Sequence, residues 1–249
     1  MQLYNDIVGI IKDRFDTLWD LIKGAGFAGN VHPEESKIRL EEVIVDGKST
    51  YTFDLKKDKS LLTAAEQSLN RNDVFVPNRM GVLIAIVNDA TGEEKLYSYV
   101  PVADPNDKGS VHKAGFLTSA IRKLYSGFLS WNVDNTVMLS AYPLENCEYI
   151  PQVQGATILD SQDAPVILGI ESEHNFADML PLLIPRYTIA GTRDHKITVQ
   201  FDAAGLQFPT TTGYTAKLCL FMDGFLVKGG CEYKGGSGSN PFGDAVGQW

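Results

Sequence analysis

A chain of 249 residues can bury a core without disulfide staples, and it fits one large domain or two small ones. Twenty-two Lys+Arg against 31 Asp+Glu give a net charge of −9, which excludes a surface that grips a polyanion broadly, because phosphates are bound by neutralising them. Three cysteines (Cys147, Cys219 and Cys231) make no disulfide framework, and the longest apolar run, Met80 to Val87, has the length of a strand and not of a membrane span. The first six residues carry no basic region followed by an apolar stretch, so the expectation is synthesis in a cytoplasm without export.

Residues 2–23 predict an amphipathic helix. Leu3, Ile7, Ile10, Ile11, Phe15, Leu18 and Ile22 recur at spacings of three and four, with Asp6, Asp13, Asp16 and Asp20 between them. Gly24 and Gly26 end it, and residues 24–30 read as a hinge. Residues 37–46 and 49–55 alternate around Asp46-Gly47 as a hairpin would. A short helix is expected over 61–70, with Leu61, Leu62, Ala65 and Leu69 on one face. Residues 80–89 and 95–101 flank a turn at Thr91-Gly92, and 127–133 and 137–142 flank Asp134-Asn135-Thr136. Later strands are expected at 166–170, 182–190, 196–201, 214–221 and 225–228, the last two joined by Asp223-Gly224. With weaker pieces near 74–77, 147–153, 156–160 and 206–209, the chain reads as about fourteen or fifteen short strands, the pattern of an all-β sandwich or barrel. The stretch 235–240 is Gly/Ser-rich, and beyond it Phe242 and Trp249 could dock on this chain or a neighbour.

No catalytic motif emerges. His32, His112, His174 and His195 have no metal-ligand spacing, and no Cys-x-x-Cys, P-loop, Gly-x-Ser-x-Gly or dinucleotide fingerprint occurs. Cys219 lies between Leu218 and Leu220 and reads as a buried, inert thiol. Asp104, Asn106 and Asp107 form the one candidate loop for a hard cation. An EF-hand would need an oxygen ligand where Lys108 stands and a bidentate Glu where Gly115 stands, so an ordinary turn is the preferred account. The expectation is no catalysis, no cofactor and no metal. The helix at 1–23 must bury its apolar face on its own β-core, on a neighbouring subunit or on a membrane, and its mostly acidic polar face speaks against anionic lipid.

The segments Asp73-Val74-Phe75-Val76-Pro77-Asn78-Arg79-Met80-Gly81-Val82-Leu83-Ile84 and Leu124-Tyr125-Ser126-Gly127-Phe128-Leu129-Ser130-Trp131-Asn132-Val133, with Tyr149-Ile150-Pro151-Gln152-Val153-Gln154, resemble the body of major capsid proteins of small tailless icosahedral phages of Bacteroidota hosts such as Flavobacterium. That resemblance, over roughly residues 30–230, implies a double jelly roll. Its parts would be a helical arm and hinge at 1–29, a first barrel at 30–155, a second at 156–234 and a flexible tail at 235–249. It further implies a virion protein that trimerises into the capsomers of an icosahedral shell. The partners would be copies of itself and other virion proteins, with indirect contact with an internal membrane and no sequence-specific nucleic-acid binding. Arm residues Leu3, Ile7, Ile10, Ile11, Phe15, Leu18 and Ile22, and tail residues Phe242 and Trp249, would tie neighbours together. A single larger β-sandwich with insertions fits the apparent hairpins better than two barrels. The alternative function is a binding module, a spike or adhesin, with Trp131 and Tyr125 as the candidate aromatics for a glycan or protein; an enzyme with a dispersed site is the third reading.

Overall fold

A computed structural model describes residues 2–24, 33–56, 58–97, 114–148, 157–159, 165–167, 180–183, 187–206 and 213–232. The chain is all-β in its body, with eleven described strands and two helices. Helix α1 (Gln2–Gly24) precedes β1 (Glu34–Val43), β2 (Thr50–Asp54), β3 (Val74–Asn88) and β4 (Glu94–Tyr97). Helix α2 (Ala114–Tyr125) leads into β5 (Phe128–Val133) and β6 (Thr136–Pro143). A two-stranded ribbon, β7 (Thr157–Leu159) with β8 (Pro165–Ile167), is followed by β9 (Ile189–Ala190), β10 (His195–Gln200) and β11 (Tyr214–Val227).

Two antiparallel sheets share one apolar core. The first runs β1-β11-β3, and along the far side of β3 lie β4, the bridge from Arg79 to Leu182, and β9. The second runs β2-β10-β5-β6. Alternation along the strands explains the packing: Ile38 and Leu40, Met80, Val82 and Ile84, and Leu218, Leu220 and Met222 point inward from the first sheet. Tyr51 and Phe53, Leu129 and Trp131, and Ile197 and Val199 meet them from the second. Ala120, Ile121, Leu124 and Tyr125 of α2 join the same core, and the Tyr125 hydroxyl donates to the Val82 carbonyl at 3.4 Å.

The expected division into barrels at 30–155 and 156–234 does not describe this arrangement. β10 pairs with β2 and β5, and β11 pairs with β1 and β3, so the later strands are central members of both sheets. The reason lies in β3 and β11, which are buried on both faces and can be satisfied only as central strands between partners.

Three local expectations are also corrected. The turn at Asp46-Gly47 exists, with Gly47 at φ 74°, but β1 and β2 do not pair; the turn carries the chain from one sheet to the other. Residues 61–70 are not a helix beyond the short turn Lys59–Leu61. Their backbone runs beside β1, with Arg39 and Gln67 exchanging N–H···O bonds of 2.9 and 2.8 Å. Asp223-Gly224 is not a hairpin turn but an irregularity inside β11, where the register passes from Arg79 to Pro77 and leaves Asn78 without a mate. A Cβ on Gly224 would lie 2.2 Å from the Val76 carbonyl oxygen, so this position admits only glycine.

The pairings across Thr91-Gly92 (β3 with β4) and across Asp134-Asn135 (β5 with β6) agree with expectation, as does α1. Helix α2 was not anticipated. Its signal is present in Leu117, Ile121, Leu124 and Tyr125 at helical spacing, with Arg122 and Lys123 in the last turn.

Candidate functional site

Three surfaces carry the polar chemistry of the described residues. The first is the outer face of the β1-β11-β3 sheet. At one end Leu18 and Ile22 of α1, with Ile11, Phe15 and Trp19 beside them, cover Val74, Val76, Phe225 and Val227. Phe15 and Phe225 meet edge to face at 5.3 Å. Arg14, buried among them, donates to the carbonyls of Asn78 at 3.1 Å and Leu183 at 2.7 Å. Helix, strand irregularity and the 180–183 segment are thus fastened at one point. Leu180 continues the cover over Leu83, Ala85, Cys219 and Phe221.

This corrects part of the arm expectation. Leu18 and Ile22 are buried on the chain's own sheet and so are not free for a neighbour, and Ile11 and Phe15, partly buried, pack on the same cluster. Ile10 stays 39% exposed beside exposed Val8. Leu3 and Ile7 belong to α1, but their side chains lie outside the described ones, as does the expected hinge beyond Gly24. Asp104, Asn106 and Asp107, and the tail residues Phe242 and Trp249, lie outside the described residues.

The second surface is an ionic cluster beyond the cover. Arg39 of β1 pairs with Glu41 at 2.6 Å and with Glu94 of β4, and Lys217 of β11 holds Glu41 at 2.7 Å. Glu66 accepts from the Glu41 N–H at 2.9 Å and the Thr63 N–H at 2.7 Å. Burial opposes the Arg39 charge, but its acidic neighbours outweigh it and hold the pKa above the ordinary arginine value. Glu41, Glu94 and Cys219 bring one potential ligand atom each within 4.8 Å of one another. The guanidinium already joins both carboxylates, and desolvation raises the Cys219 thiol to about 12, so the cluster is a neutralised ion network and not a cation site. Cys147, also buried, is raised to about 12 by the same cause.

The third is the end of the sandwich where the β5–β6 turn meets the 190–195 loop. Asp134, at φ 50°, accepts from the Asp194 N–H at 2.9 Å and pairs with Arg193 at 3.3 Å. Beneath it, His195 is 1% exposed with its Nε2 3.1 Å from the Ala190 carbonyl, and Trp131 stacks obliquely on Tyr187 at 5.1 Å. Burial pushes the His195 pKa down to about 4, outweighing the Ala190 bond and Asp134. Trp131 and Tyr125, expected as exposed binding aromatics, are core residues at 1% and 5% exposure.

The outer face of the second sheet is open and hydroxyl-rich: Thr52 and Thr198 approach to 3.5 Å, and Ser130 donates to the Ser140 carbonyl at 2.7 Å. Phe128 stands half-exposed on that sheet. Among the described residues, no helix is long and apolar enough to cross a membrane. No family model, curated protein or solved structure matches the chain.

Proposed function

We propose that this chain is a structural subunit of a virion shell, a capsid protein whose activity is self-assembly. The observation that carries the reading is the strand order. Leaving aside β4 and the β7–β8 ribbon, and taking the short β9 that pairs with β3 as the fourth strand of the first sheet, the remaining eight strands numbered along the chain run 1-8-3-6 and 2-7-4-5. That interleaving is the order of a jelly roll, an architecture used by capsid proteins, lectins and cupins alike. Here its interior is filled by side chains such as Trp131, Tyr51, Phe53 and Met80, which leaves function to the outside of the sandwich. The topology supports one jelly roll per chain, in place of the two on which the trimeric capsomer was expected, so the number of copies in a capsomer stays open. A net charge of −9 suits a shell held by protein contacts more than one that packs its genome directly.

A glycan- or protein-binding module is the second reading, favoured by the open Thr/Ser face and exposed Phe128. Sedimentation velocity and negative-stain microscopy over a range of protein and salt concentrations separate the two. Regular oligomers or closed shells are expected. A protein that stays monomeric under every condition while retaining glycan on an array overturns the shell reading.

A further inference from the structure

We propose that the core of the sandwich encloses one water molecule, held between the indole N–H of Trp131 and Nδ1 of His195. The inference goes beyond the shell reading and does not rest on it, since the site lies inside the subunit.

The strand register brings the two rings together. β10 pairs with β5 so that His195 stands opposite Val133 and Ile197 opposite Trp131. His195 and Trp131 are therefore diagonal neighbours on the inner face of one sheet, with ring centroids 6.1 Å apart and planes inclined at 51°. Both are 1% exposed, and the residues opposite them, Val133 and Ile197, are buried and apolar. Tyr187 packs on Trp131 from the 187–190 segment.

Each ring brings one buried nitrogen, Trp131 Nε1 and His195 Nδ1, that has no hydrogen-bond partner among the described residues. Buried polar groups are bonded in folded proteins, and an orphan of this kind points to a bound group that completes it. The chemistry of the two nitrogens is complementary. A carbonyl only accepts, so His195 Nε2, 3.1 Å from the Ala190 oxygen, carries the ring proton. Burial keeps the ring neutral at pH 7, which leaves a lone pair on Nδ1. The indole N–H only donates.

One donor and one acceptor that do not bond each other select a group that accepts from the first and donates to the second. Water does both within a single small molecule. A cation is repelled by the indole N–H and an anion by the Nδ1 lone pair, and the charges at this end of the sandwich are already paired, Asp134 with Arg193 and Asp194 with Lys56. The water completes a polar thread from the Ala190 carbonyl through His195 to Trp131. The 187–190 segment, β10 and β5 are then joined by hydrogen bonds as well as by packing, and the tautomer of His195 is fixed from both sides.

The test uses the native full chain, labelled with 15N, at neutral pH. Long-range proton–nitrogen spectra are expected to show His195 protonated at Nε2 alone. The Trp131 indole proton, identified by its loss in Trp131→Phe, is expected to give a cross-peak to a long-lived water. His195→Phe keeps a ring and removes the acceptor, and is expected to abolish that cross-peak while the indole signal remains. A crystal structure of the native chain supplies a readout that needs no variant, with a density peak expected within hydrogen-bond reach of both nitrogens. His195 protonated at Nδ1, an indole proton without contact to water, a cross-peak that survives His195→Phe, or a crystal in which Nε1 and Nδ1 bond directly each overturn the proposal.

Discussion

His195 is the residue whose protonation the fold resists most plainly. It is neutral in both states above the ordinary histidine pKa of about 6.5. Below that the unfolded chain takes up a proton that the folded chain refuses until about pH 4, so stability falls as pH falls through that window. The loss is about 1.4 kcal/mol per pH unit, reaching on the order of 3 kcal/mol near pH 4. Urea melts of native protein and His195→Gln between pH 7 and pH 4.5 check this: the native curve should drop more steeply, and parallel curves would refute it. Two glycines make a second contrast. Gly224→Ala meets the Val76 carbonyl oxygen at 2.2 Å and should lose more than ~2 kcal/mol, because two backbones must separate. Gly81→Ala meets only the Leu180 Cδ2 at 2.4 Å, a side chain that can turn away, and should lose well under half as much in the same melts. The buried thiol of Cys219 was legible from Leu218 and Leu220 beside it, since a continuous apolar run of strand length marks a strand covered on both faces. The burial of His195 was not, because a polar residue at a strand's first position reads equally well on either face.

At the scale of elements, α1 was legible because an amphipathic stripe of 3.6 period has no competing account. Its landing place was not, since apolar periodicity says that a face is buried and not by what. Leu18→Ala and Ile22→Ala should each lower stability by ~2–5 kcal/mol, as cavities under a helix do, measured by chemical denaturation. An arm reserved for neighbours would show that loss only in assembled protein, so a monomeric variant unaffected by either change would count against the packing described. Turn signals were legible as turns and misleading as hairpins. Asp134-Asn135 joins paired strands, Asp46-Gly47 joins strands in different sheets, and Asp223-Gly224 joins nothing, because these residues report only that the backbone can take an unusual course. The helix expected over 61–70 failed for a different reason. The Thr63–Glu66 bond is one a helix start would also make, but Gln67 exchanges backbone bonds with Arg39 and Glu66 holds the Glu41 N–H, so long-range pairing with β1 outweighs a weak local propensity. Arg39→Ala should expose how much that network matters: it leaves Glu41 with Lys217 and the Thr63 hydroxyl and takes the guanidinium from Glu94, at an expected loss of ~3 kcal/mol that high salt does not reproduce.

For the whole molecule, a strand count suggested two barrels, and only pairing partners could say that β10 and β11 close the sheets begun by β1, β2 and β3. Topology of this kind is written in contacts far apart in sequence, which local patterns do not encode. Calorimetry should therefore show one cooperative transition, whereas two independent barrels would melt in two. The placement of β11 has a consequence for biosynthesis. β1 and β3 both wait for a central partner that lies at residues 214–227, so that sheet cannot close until the ribosome has passed this segment. Until β11 is made, the edges of β1 and β3 that it fills stay open, so the interval in which this sheet can pair wrongly lasts through the synthesis of everything between residues 88 and 214.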